Sequence, residues 1–312
     1  MTINARYASH PFTLRQLQYV IAVADALSFR KAAELCHVSQ PSLSAQLAQL
    51  EDTLGVRLFE RDRRRVLLTA AGKDLVDRAR RLLVDADDFL AAARRAGDPF
   101  SGELRLGVIP TISPYLLPSI TPALRTAYPQ LVTKWLEEKT DILVRQLDAG
   151  QIDAALLALE ADLGDVESEV VATDSFVLVA PPNHPLLAKS RPLSMNDLTD
   201  ANVLLLDDGH CLREQALAVC SRAKARELEF RATSLSTLVH MVAGGAGVTL
   251  LPALAVAIEV ERAGLGTRSF ARPAPHRTIA LVWRKRSPLA DALTKIAGTI
   301  RGAYPSSSGH HE

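Results

Sequence analysis

Two of the chain's three cysteines, Cys211 and Cys220, lie nine residues apart in one stretch of the 312-residue sequence. A pair of thiols can be oxidised to a disulfide and reduced again, so this stretch is the first candidate for chemistry. If a helix begins near Cys211, nine residues separate the two Cα atoms by about 13 Å of rise. A disulfide needs Cα atoms within about 7 Å. The two cysteines can therefore bond only if that helix unwinds.

The flanks of Cys211 predict a reactive thiol. At a helix N-terminus the helix dipole stabilises a thiolate, and His210 and Arg213 add positive charge nearby. Both effects lower the pKa of a thiol and raise its reactivity. Cys220 follows a small apolar run and is predicted to be buried. Two inert core cysteines remain an open alternative, whereas a zinc site lacks its usual close-paired ligands.

The composition excludes several classes of protein. Hydrophobic residues make up 48% of the chain and the formal net charge is +1, so overall charge does not indicate a nucleic-acid partner. Three cysteines fit a reducing compartment and not a disulfide scaffold. The nearly uncharged segment 238–260 contains three glycines and Pro252, which predicts a buried helix, a strand and a second helix instead of a membrane span. We expect a cytoplasmic protein with no membrane contact, no metal and no cofactor.

The first part of the chain has the spacing of a helix-turn-helix. Apolar residues recur at helical spacing after Leu14, and Ser28 can cap a second helix over 29–35. A three-residue turn then leads to Ser39, a suitable N-cap for a third helix. The start and outer face of that helix offer side chains suited to base edges and phosphates. These candidate DNA contacts are Ser39, Gln40, Pro41, Ser42, Ser44 and Gln46.

A basic hairpin follows the three helices and favours DNA binding over an ordinary solvated helix face. Residues 58–68 predict two short strands around an arginine-rich tip. Arg61, Arg63 and Arg64 are the residues of this predicted wing that we expect to contact the phosphate backbone.

A long helix is predicted from Thr69 to about Arg95. Its residues Leu75, Leu82 and Phe89 recur every seven positions and belong to an apolar seam. Such a seam is typical of a coiled coil, and it predicts that two copies of the chain dimerise through this helix.

Several motifs in this region resemble those of the LysR-type transcriptional regulators. They read FRKAAELCHVSQPSLS over residues 29–44, LFER over 58–61 and LTAAG over 68–72. The resemblance implies an all-α winged helix-turn-helix over residues 12–70 and a linker and dimerisation helix over 71–98. It further implies a two-lobed α/β effector domain, similar to type 2 periplasmic binding proteins, over 99–305. Promoter DNA, RNA polymerase and further copies of the chain, as a homodimer or homotetramer, are the implied partners, with no enzyme chemistry.

After Gly102 the strand and helix patterns alternate, which predicts an α/β domain with largely parallel sheets. Two lobes are expected, with the chain crossing near Thr173 and returning near Pro252. Thr111 and Thr140 each open a predicted helix at the carboxyl end of a strand, where ligands bind in such folds. Helix capping is the simpler interpretation of both threonines. Strands are predicted over 104–109, 131–137, 152–158, 176–180, 203–206, 230–233, 248–251 and 279–283.

The second lobe resembles the peroxide-sensing members of the same family. The matching motifs are DGHCLR over 208–213, FRATSL over 230–235, GVTLLPALAV over 247–256 and RTI over 277–279. The resemblance implies that hydrogen peroxide reacts with Cys211 and that Cys220 resolves the product as a disulfide. It implies that Thr111, Thr140, His210 and Arg277 hold the peroxide.

Other interpretations remain open. A LysR-type regulator of a small organic acid, with inert cysteines, is the nearest alternative, and a thiol peroxidase is a rival from a different class. Cys36 is expected to have a packing role. The eleven-residue head and the tail 306–312 depart from the family pattern.

Overall fold

The protein divides into two compact units, and the division falls between Arg94 and Arg95, within the segment for which the sequence predicts a linker helix. The predicted head and tail fall largely outside the described residues. The computed structural model describes residues 10–61, 66–94, 98–188, 191–208 and 211–305.

The N-terminal unit contains the predicted helix-turn-helix. Ser28 and Ser39 cap the second and third helices by accepting hydrogen bonds from the backbone amides of Lys31 and Ser42. Between these helices His37 takes a left-handed conformation with φ of 54°, which completes the short turn. The elements are α1 Leu14–Ala26, α2 Phe29–Leu35, α3 Gln40–Leu54, β1 Phe59–Arg61, β2 Val66–Leu68 and α4 Ala70–Arg94.

The base of the wing is fixed to the start of α4. The Thr69 hydroxyl donates to the Arg57 carbonyl at 2.7 Å and accepts from the Gly72 amide at 2.8 Å. A Cβ atom at Gly72 would overlap the Leu58 carbonyl oxygen. Glu51, which is buried, accepts hydrogen bonds from the amides of Leu58 and the next residue. Strand, helix and wing are therefore held together by specific polar contacts.

The second unit alternates strands and helices, as the sequence predicts. Its first elements are β3 Gly102–Val108, α5 Ser113–Ala127, β4 Leu131–Glu137, α6 Thr140–Asp148, β5 Ala154–Ala158 and β6 Val166–Ala180. A 3₁₀ turn, Met195–Leu198, precedes β7 Asn202–Leu206, α7 Cys211–Ala223 and β8 Arg226–Ala232. The remaining elements are α8 Leu235–Ala243, β9 Thr249–Pro252, α9 Ala253–Ala263, β10 Gly266–Ser269, β11 His276–Arg284 and α10 Ala290–Gly302.

The sheets are mixed, so the expectation of largely parallel sheets is wrong. The main sheet has the order β10-β6-β11-β5-β3-β4, with β9 also paired to β6. Only β3–β4, β3–β5 and β7–β8 pair in parallel among the named strands, while β6 and β11 are antiparallel to all their partners. Polar residues at 167–169 and 173–175 interrupt the first part of β6, so a search for long apolar runs does not find it.

The strand β6 runs through both lobes, which confirms the predicted crossing near Thr173. Val171 packs in the core of the first lobe and Phe176 in that of the second. The predicted return near Pro252 is wrong, because α9 still packs its Ala255 and Val260 against the second lobe. The chain returns along β11, whose Ile279 is in the first-lobe core.

The segment 238–260 forms the end of α8, the strand β9 and most of α9, which confirms the predicted helix, strand and helix. No helix in the described part of the chain is both long enough and apolar enough to cross a membrane.

Candidate functional site

Cys211 is the first residue of α7, a helix of the second lobe, and its side chain packs in the core of the first lobe. Cys220 lies later in the same helix, within an apolar cluster of the second lobe. Both side chains are buried and both thiols are free. The start of α7 at Cys211 and the burial of Cys220 confirm two of the predictions. Because the helix is intact, it holds the two thiols apart.

The fully buried Arg277 lies beside Cys211 and is held by two residues. Its Nε donates to the Asp174 carboxylate at 3.0 Å, and its two terminal nitrogens donate to Thr111 Oγ1 at 2.8 Å and to the Thr111 carbonyl at 3.0 Å. Asp174 also accepts from the amide of Leu254 at 3.1 Å. The sequence predictions included Thr111 and Arg277 but missed the carboxylate that neutralises the guanidinium.

Thr140 is the first residue of α6, and its hydroxyl is buried next to the Cys211 thiol. It favours the thiolate form of Cys211, yet among the described residues its Oγ1 has no regular hydrogen-bond partner. Neither α6 nor α5, whose N-cap is Ile112, has a side-chain cap. Helix capping is therefore the wrong interpretation of Thr111 and Thr140.

The expectation of a lowered thiol pKa at Cys211 is wrong. Burial raises the pKa of the Cys211 thiol because a thiolate loses its hydration, and the nearby Glu160 carboxylate acts in the same direction. Arg277, the Thr140 hydroxyl and the Leu212 amide oppose this shift without overcoming it. Burial likewise raises the pKa of Cys220, to about 11.

Of the two predicted charge partners of Cys211, the structure describes Arg213, and its charge is paired elsewhere. Arg213 is buried and pairs with Asp208 at 2.9 Å and Glu227 at 2.7 Å, and it donates to the Leu206 carbonyl at 3.1 Å. The positive charge of Arg213 is therefore paired with carboxylates of the second lobe. His210 lies outside the described residues.

Two contacts between the lobes flank the start of α7, and neither was predicted. Lys139, which precedes α6, donates to the Asp208 carbonyl at 2.8 Å. Gln215, on the first turns of α7, donates to Glu160 at 3.3 Å, and Glu160 also accepts from the Thr278 amide at 2.7 Å. These partners are far apart in the sequence, so only the fold brings them together.

The predicted DNA contacts divide into three groups. Ser39, Gln40, Pro41 and Ser42 are exposed at the start of α3, and the Ser39 hydroxyl serves as the helix cap. Ser44 and Gln46 are half-buried, and Gln46 accepts a hydrogen bond from Gln16 at 3.2 Å. Arg61 ends β1, while Arg63 and Arg64 lie outside the described residues. Cys36, in the turn after α2, is half-buried against the helix-turn-helix core.

Models of two protein families match the chain, one in each unit. The model of the bacterial regulatory helix-turn-helix protein, lysR family, matches residues 14–73, and that of the LysR substrate binding domain matches residues 97–304. The chain therefore belongs to the LysR family of transcription regulators.

Relatives and solved structures make the similarity more specific. The chain is 46% identical over 290 residues to the DNA-binding transcriptional dual regulator OxyR of Escherichia coli K12, covering 92% of this chain and 94% of that one. It is 45% identical over 289 residues to the hydrogen peroxide-inducible genes activator of Pectobacterium carotovorum subsp. carotovorum, covering 92% and 95%. A full-length OxyR variant from Pseudomonas aeruginosa has a similar structure, with a TM-score of 0.76, 35% identity and coverage of 97% and 99%.

Proposed function

We propose that the chain is a hydrogen-peroxide-sensing, DNA-binding transcription regulator that switches by forming a disulfide between Cys211 and Cys220. One observation carries the proposal. A buried thiol at the start of α7 lies beside Arg277 and the buried Thr140 hydroxyl, and a second buried thiol lies in the same helix. The named relatives support it.

The reaction of the two thiols with hydrogen peroxide proceeds in two steps. The Cys211 thiolate attacks one peroxide oxygen, the O–O bond breaks, and the departing hydroxide takes up a proton and becomes water. Cys211 is then a sulfenic acid. The Cys220 sulfur, having given up its proton, attacks the Cys211 sulfur. The S–O bond breaks, the hydroxide leaves as water, and a disulfide remains.

The polar residues around Cys211 have distinct roles in this proposal. The Thr140 hydroxyl is buried next to the thiol and can donate to a peroxide oxygen placed there. The Thr111 hydroxyl accepts from Arg277 and so has its own proton to donate. His210 and Arg277 complete the set that stabilises the leaving hydroxide. Arg277 and the Thr140 hydroxyl partly offset the burial that raises the pKa of the Cys211 thiol.

The output of the switch is a change in DNA binding. The disulfide requires α7 to unwind, which changes the surface of the effector domain that further copies of the chain can contact. We propose a homodimer or homotetramer in which this change re-spaces the helix-turn-helix units on promoter DNA and alters the response of RNA polymerase. The cytoplasm, as a reducing compartment, returns the thiols to the free state. The chain acts as a stoichiometric switch and not as an enzyme.

The Cys211→Ser variant tests the proposal. It should bind promoter DNA as the wild type does, but peroxide should no longer alter its footprint, and the Cys36→Ser control should respond normally. A peroxide-dependent footprint in Cys211→Ser would contradict the assignment of the reactive thiol. Sustained peroxide consumption by the wild type in the presence of a reductant would favour a peroxidase instead.

A further inference from the structure

A cleft of about 500 Å³ runs along one face of α7 and reaches Cys211. The exposed Ala218 on that helix, Phe176 and the segment 273–276 form much of its wall. On its other side Cys211 neighbours Thr140 and Arg277, both of which are buried. The cleft therefore offers an approach to the thiol along described residues.

The charged groups of this cleft are mainly acidic. Its described lining contains two carboxylates, Glu160 and the exposed Glu214, and only His276 can contribute a positive charge there. Arg277 lies deeper and is paired with Asp174. An anion that approaches through the cleft is repelled by the carboxylates, whereas a neutral molecule is not.

We propose that this cleft is the route by which oxidants reach Cys211, and that Glu160 and Glu214 make it select uncharged oxidants, such as hydrogen peroxide, over anionic ones. The proposal rests on Cys211 being the reactive thiol, as proposed above. It assigns a specificity role to two side chains on different lobes, of which Glu160 also holds Gln215.

Two alkylating reagents measure this selectivity without any oxidant. Neutral iodoacetamide and anionic iodoacetate both react with the same thiolate and release iodide, so the ratio of their rates does not depend on the thiol pKa. The rates are followed at Cys211 by peptide mass spectrometry of the reduced full-length chain. The preference for iodoacetamide should be larger in the folded chain than in urea, and should fall as salt screens the carboxylates.

Removal of each carboxylate should weaken the preference. Glu214→Gln and Glu160→Gln should each raise the relative iodoacetate rate about twofold to fivefold. The exposed Glu261, outside the cleft, provides the control Glu261→Gln, which should leave the ratio unchanged. A glutamine at position 160 can still accept from the Thr278 amide and can donate to the unpartnered Gln215 Oε1, so the local fold has replacement contacts.

The route has its own test. Ala218→Phe narrows the cleft from an exposed helix position and should slow both reagents severalfold without changing their ratio. An unchanged rate in that variant, or an unchanged ratio in both glutamine variants, would overturn the proposal. Neither result bears on whether peroxide changes the DNA footprint, so this proposal and the proposed function can fail separately.

Discussion

Cys211 and Cys220 belong to one helix but pack in the cores of different lobes. We expect a disulfide between them to remove Cys211 from the first lobe and to unwind the turns that bury Leu212 and Val219. Burial of one such side chain contributes roughly 1.5–3 kcal/mol. The disulfide must offset this loss, so it should be strained and comparatively easy to reduce, as a switch that resets requires.

The buried Cys220 thiol predicts a loss of stability at alkaline pH. Its pKa is raised by burial from 9.0 to about 11, so the unfolded thiol ionises first. The stabilisation is complete below about pH 9 and is lost as pH rises to about 11. Over this range the wild type should lose about 2–3 kcal/mol more than Cys220→Ala in its free energy of unfolding, measured with urea. Equal losses would mean that burial does not shift this thiol.

The ion pair between Arg277 and Asp174 predicts strong energetic coupling, because both side chains are buried. Asp174→Asn leaves the guanidinium uncompensated and should destabilise the effector domain by about 3–5 kcal/mol in urea unfolding. Arg277→Met in the same chain should recover part of that loss. The exposed pair of Arg301 and Glu169 is the control, and Glu169→Gln should cost less than about 1 kcal/mol. Additive losses in the double variant would argue against the coupling.

The wing and α3 should affect DNA binding differently. Arg63→Ala or Arg64→Ala should weaken binding about equally on all sequences and lower the salt dependence of the binding constant, as loss of a phosphate contact does. Gln40→Ala should instead change the sequence preference, because Gln40 is exposed at the start of α3. Binding titrations over a range of salt concentrations measure both. If the salt dependence were unaltered in both arginine variants, the wing would not contact phosphate.

The exposed apolar side chains of α4 predict a dimer interface. Its residues Leu82 and Phe89, seven positions apart, are 46% and 74% exposed, while Val76 and Ala79 pack inward. Leu82→Glu should disrupt the dimer, because an unpaired carboxylate is costly to bury, and Leu82→Met should preserve it. Sedimentation velocity compares the two variants, and an unchanged oligomer in Leu82→Glu would remove the coiled-coil prediction.

Local patterns predicted the helices well, because caps such as Ser39 and apolar spacing are encoded within a few residues. Local patterns did not predict the surroundings of Cys211, because those surroundings are formed by segments that are distant in the sequence. The Cys211 pKa follows from packing against the first lobe, and the carboxylates of Asp174 and Glu160 arrive from other strands and loops. Polar residues at 167–169 and 173–175 leave only a short apolar run in the first part of β6, so its antiparallel pairing with β11 was not predicted.

Hydrogen exchange across α7 tests the switch most directly. The full-length chain is compared reduced and after one equivalent of peroxide, with the Cys211–Cys220 disulfide verified by peptide mapping. We expect faster exchange over residues 209–221 and a lower thermal midpoint of the oxidised effector domain, while β9 remains protected. A disulfide that forms with unchanged exchange in that segment and a higher thermal midpoint would contradict the unwinding mechanism.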